Sequence, residues 1–82
     1  MNVEDAEKVL RLAHKACVEL DEIAEVHRRY ENAASKRCIR VCGEAIGNLL
    51  NDVMLPALAE HPHLDEKLFD GRFDAKSIVV CK

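Results

Sequence analysis

The stretch VLRLAHKACVELDEIAEVHRRY, Val9 to Tyr30, decides the fold. Val9, Ala13, Ala16, Leu20, Ile23, His27 and Tyr30 succeed one another in alternating steps of four and three, with Leu10, Cys17 and Ala24 beside them. That spacing places them on one stripe of an α-helix that packs against other helices. Upstream, Asn2 is suited to accept from the free backbone N–H at Asp5, and Glu4, Asp5 and Glu7 sit where the helix dipole is positive. A first helix is therefore expected over 3–31. Arg28 and Arg29 suit its carbonyl end, Asn32 a left-handed closing residue, and Ser35 the next N-cap.

Downstream, Ile39, Cys42, Ile46, Leu49, Leu50 and Val53 form a second apolar face, which predicts a helix over 35–60. Pro56 removes a backbone donor inside it and predicts a kink nearby. Gly43 and Gly47 lie within this helix, where each costs roughly 1 kcal/mol relative to alanine, and close approach of another backbone would account for them. His61 precedes Pro62 and closes the segment. A short helix follows over 62–70, ended by Gly71, and then an extended tail over 72–82 in which Phe73, Ala75, Ser77, Val79 and Cys81 alternate.

The fold class is thus all-α: an antiparallel helical hairpin, a short third helix and an extended C-terminal tail in one domain, 1–82. Composition agrees, with 49% hydrophobic and 33% charged residues, three Gly and two Pro. A hairpin turning near Asn32 brings together residues whose numbers sum to about 65, so His27 falls near Cys38 and Ala16 near Leu49. The rival geometry is one helix from Val3 to about Leu55 in a parallel coiled coil; Arg28, Arg29 and Asn32 favour the turn. Each apolar face is wider than the seam two helices need. Helix three and the tail can cover part of the surplus, and a second copy is expected to cover the rest and give a helical bundle.

The N-terminus carries no basic patch followed by an apolar run, and the longest near-apolar run, Val53 to Ala59, is broken by Pro56. The chain is accordingly read as cytoplasmic, without a membrane span, and Cys17, Cys38, Cys42 and Cys81 as reduced thiols.

Net charge is −3, distributed in blocks. Residues 1–25 hold seven acids and three bases, residues 26–42 five bases and one acid, and residues 43–82 seven acids and four bases. The basic block, Arg28, Arg29, Lys36, Arg37 and Arg40, would gather at the hairpin tip, where an acidic partner or a phosphate backbone could meet it. The negative total and the scarcity of aromatic residues weigh against nucleic acid.

Cys38 and Cys42 lie one turn apart, and with His27 across the hairpin they could ligate zinc or Cu(I), Cys81 or Glu31 completing the set. Their apolar setting favours plain core thiols. Glu60, His61, His63 and Asp65 cluster at a helix boundary, but no spacing sets a nucleophile beside a base. The expectation is a small cytosolic module for protein–protein interaction or regulation, self-associating, without catalytic activity or cofactor. The alternatives are a nucleic-acid binder using the basic tip and a thiol metal-binding protein.

Overall fold

The computed structural model describes residues 1–73. These are 82% helical with no strand among them. Helix α1 spans Val3–His27, α2 spans Ala33–Leu49 and runs through a π-helical turn, Leu50–Met54, into α3, Leu55–Glu60. Helix α4 spans His63–Phe69. Of the extended tail expected over 72–82, Arg72 and Phe73 lie in a turn and the rest falls outside the described residues.

Helix α1 starts as expected, with Asn2 Oδ1 accepting from Asp5 N at 2.8 Å. It ends four residues sooner than expected. After His27 the backbone tightens into i to i−3 bonds, Arg29 N to Val26 O at 3.3 Å and Tyr30 N to His27 O at 3.0 Å. The roles assigned to Asn32 and Ser35 are corrected as well. Asn32 is extended, φ −107° and ψ 162°, and caps α2 by accepting from Ser35 N at 2.8 Å. Ser35 is thus already inside the helix, and α2 starts two residues before the expected 35. Asparagine is as good an N-cap as serine, so the earlier of the two took the position.

The break expected near Pro56 takes the form of a π turn. Pro56 has no N–H to offer the carbonyl four residues back, and just before it the ladder shifts register, Leu55 N bonding to Leu50 O. Within the turn Leu50 and Val53 are half-buried and Met54 buried; beyond it Ala57 and Leu58 are buried. His61, with φ −133° and ψ 70°, ends α3 as its place before Pro62 predicts. Helix α4 closes on Asp70, φ 54°, and Gly71, φ 75°, two successive left-handed residues of which only glycine takes that conformation without strain. No close backbone approach explains the helical glycines: a Cβ built at Gly43 or Gly47 meets nothing within 4 Å.

The core collects at the end of the molecule away from the 28–32 turn. Leu10, Met54, Leu58 and Leu64 are all but inaccessible, and Ala6, Ala13, Ala57 and Phe69 complete the cluster. Helix α2 packs along α1. At the turn, His27 Nδ1 and Ser35 Oγ share a 2.9 Å hydrogen bond. At the other end Met1 meets the close of α3, its amine 3.3 Å from Glu60 Oε1 and its carbonyl 3.0 Å from His61 Nε2. Helix α4 is tied to α1 by Lys67 Nζ, 2.7 Å from Glu7 Oε1. Asp65, 2% exposed, accepts from Phe73 N at 3.1 Å and so holds the turn after α4.

Candidate interaction surface

The buried stripe of α1 is not the one that the periodicity centres on. Ala6, Leu10, Ala13 and Ala24 are buried, Val9, Ala16 and Leu20 half-buried, and Ile23 and Tyr30 exposed. The apolar sector of α1 therefore extends well past what the fold covers. Leu12 is 58% exposed, Ile23 48%, Val26 49%, and Val41 on α2 52%. Isolated exposed apolar residues are ordinary, but Leu12, Ile23 and Val26 on one helix, with half-buried Ala16 and Leu20 alongside, make a face that the described residues leave uncovered.

On the other side of α1 the chain covers itself in part. Phe69 stacks tilted against the His14 ring, centroids 5.1 Å apart, and Phe73 meets Phe69 edge-on at 5.0 Å. Between them and α2 lies a groove of about 510 Å³, walled by Cys17, Val18, Ile46, Leu50, Met54 and Phe73, with Asp21 and Arg72 among the residues at its edges. Burial pushes the Cys17 thiol above its ordinary pKa, which makes it a packing group and not a ready nucleophile.

The members of the basic block differ in standing. Arg28 folds back on α1, ion-paired with Glu25 and 3.9 Å from Asp21. Arg29, Lys36, Arg37 and Arg40 are exposed and form no ion pair among the described residues. The last three stand on the N-terminal half of α2, which has no acid in its first turn. A helix N-terminus is already positive, so cations in its first turns are unfavourable.

The set His27, Cys38 and Cys42 is not assembled into a metal centre. The Nδ1 of His27 is engaged by Ser35, and no three His, Cys, Asp or Glu side chains converge to hold a metal ion among the described residues. The Glu60 to Asp65 cluster is likewise dispersed: Glu60 and His61 hold Met1, Asp65 turns inward, and His63 meets only the edge of His61, centroids 6.0 Å apart. Sequence reading missed Ser35 as the partner of His27, although its spacing from Asn32 is that of an N3 residue. No described helix is long and apolar enough to cross a membrane.

No family model matches this chain, and no curated protein and no solved structure matches it either.

Proposed function

We propose that the protein is a cytosolic helical interaction module, an antiparallel α1/α2 hairpin that associates with itself and offers its surface to protein partners as adaptor, regulator or inhibitor, without chemistry of its own. The hairpin is supported by the two ties at its ends, His27 with Ser35 and Met1 with Glu60 and His61, between which residue numbers rise along one rod and fall along the other. The observation that carries the proposal is the bare row Leu12, Ile23, Val26 and Val41. Each of these would be an ordinary core residue in a bundle, and water is a poor substitute for the neighbours they lack.

Light scattering on the eluting full chain tests this. A species heavier than the 9.2 kDa monomer that reverts to it when Leu12 and Ile23 become Glu supports the proposal. A wild-type chain that elutes only as monomer contradicts it. The unpaired cations at the tip favour a second reading, nucleic-acid binding: retention on RNA or DNA at low salt that weakens steeply with added salt, and is lost with Arg37→Ala and Arg40→Ala, would replace the first.

A further inference from the structure

The proposed self-association can be given a definite arrangement. At 100° per residue, Leu12, Ala16 and Ile23 stand roughly a quarter to a third of a turn from the buried direction of α1 set by Ala6, Ala13 and Ala24, and His14 and Val18 stand to the opposite side, at the groove. On α2 the buried direction is set by Ser35 and Cys42; Ile46 and Leu50 turn to the groove, and Val41 and Ala45 to the other side. Two antiparallel helices with the same angular offset from their contact line present those residues on the same side of the pair. One broad side of the hairpin is therefore packed with Phe69 and Phe73, and the other is bare from Val41 and Ile23 to a depression lined by Val9, Val53 and Pro56.

The occupant follows from size and charge. The molecule measures 43 × 24 × 21 Å, so this long face has room for the roughly 800 Å² per partner that a standard interface takes. At the tip end the exposed Arg29, Lys36, Arg37 and Arg40 outnumber Glu31, at the far end the exposed Glu4, Asp5 and Asp52 outnumber Lys8, and none of these forms an ion pair among the described residues. A twofold axis that brings two such faces together runs either along the helices or across them. Along the helices, the two tips meet and cation faces cation. Across them, the tips point to opposite ends and each tip lies over the acidic end of its neighbour.

We infer that a second copy of this chain covers the bare face with its tip reversed, Ala16 near the axis, Arg37 facing the end that carries the partner's Asp52, and Arg29 the end that carries the partner's Asp5. The arrangement supplies anions to cations that the isolated hairpin leaves at a positive helix end, and it rests on the self-association proposed above. It also sets the partner's chemistry: a matched apolar row with the opposite charge gradient, which the chain itself possesses when turned end for end.

The two axes predict opposite signs for one substitution. With tips reversed, Arg37→Glu and Asp52→Lys each weaken the dimer of the full chain, about five- to tenfold in dissociation constant at low salt, because each pair occurs twice and attraction turns to repulsion. An equimolar mixture of the two variants regains near wild-type affinity, measured by sedimentation at equal helix content by circular dichroism. Arg37→Glu that tightens the dimer or leaves it unchanged, or a mixture that fails to recover, overturns the arrangement while self-association stands. A wild-type monomer overturns both. An independent readout needs no charge variant: spin labels carried at Glu31 of both copies are expected about 40 Å apart, given rods of this length, and under about 20 Å if the tips meet.

Discussion

His27, the last residue of α1, and Ser35, in the first turn of α2, share a 2.9 Å hydrogen bond between ring Nδ1 and hydroxyl. Ser35 is 5% exposed and lies beneath the Asn32 cap, so one short segment both starts α2 and fastens it to α1. Large apolar side chains play little part at this end, where the buried residues are Ala24, Ser35 and Cys42. The polar pair therefore has an outsized share in holding the turn. Ser35→Ala leaves the ring nitrogen unpartnered and is expected to cost about 1–2 kcal/mol in urea unfolding, with Asn32→Ala costing about 1 kcal/mol through loss of the cap. A change under a few tenths of a kcal/mol in both would show that the turn is held by something else.

Leu58 and Leu12 offer the sharpest contrast between core and surface. Leu58 is fully enclosed by the core cluster, and truncation to alanine is expected to cost about 2–5 kcal/mol. Leu12 is 58% exposed, so Leu12→Ala should move the unfolding of dilute monomer by no more than about 0.5 kcal/mol, and yet weaken association. Denaturation at two protein concentrations separates the two effects.

Gly43 sits inside α2 with open space where a side chain would stand. Gly43→Ala is expected to stabilise the fold by roughly 0.5–1 kcal/mol, since it limits the unfolded chain and meets no obstacle in the folded one. Thermal unfolding checks the sign, and a lower midpoint would show that a neighbouring backbone uses the space.

Glu7 on α1 pairs with Arg11 one turn along the same helix and with Lys67 on α4. The hydrogen bond from Lys67 on α4, with Arg11 one turn along α1, holds its carboxyl below the ordinary value of 4.5, against the opposing effect of burial. A carboxyl whose folded pKa is depressed binds protons less readily when folded, so its contribution is fully present above the ordinary value and is lost as pH falls through the folded one. Wild type should therefore lose more stability between neutral pH and pH 3 than Glu7→Gln. Equal slopes for the two proteins would mean that the Lys67 tie contributes nothing.

Much of this architecture is legible in the sequence, because local chemistry sets it. The start of α1 at Asn2, the closure at His61 and Pro62, the break near Pro56 and the left-handed end at Gly71 each follow from one residue's backbone preferences. The turn lies two to four residues earlier than the sequence suggests, since Asn32 and Ser35 are both good caps and their local chemistry does not choose between them. The core stripe was misplaced by part of a turn. Val9 to Tyr30 carries apolar residues over a wide sector, and periodicity gives that sector's centre without saying which half the rest of the chain covers. The standing of the individual basic residues was not legible: Arg28 is ion-paired with Glu25, a pairing that competes with the role the sequence suggests for it. The pairing of His27 with Ser35 was not legible, because the spacing of Cys38 and Cys42 drew attention to thiols while the hydroxyl that meets the ring lies closer in sequence.

Sedimentation equilibrium of the full chain over a wide concentration range, beside the Leu12→Glu, Ile23→Glu double variant, bears most directly on the claim that the bare α1/α2 face is covered by a second copy. The expected result is a monomer–dimer equilibrium reaching twice 9.2 kDa for the wild type and a single 9.2 kDa species for a variant of equal helix content. A wild type that stays at 9.2 kDa at every concentration, or a variant that still dimerises fully, contradicts it.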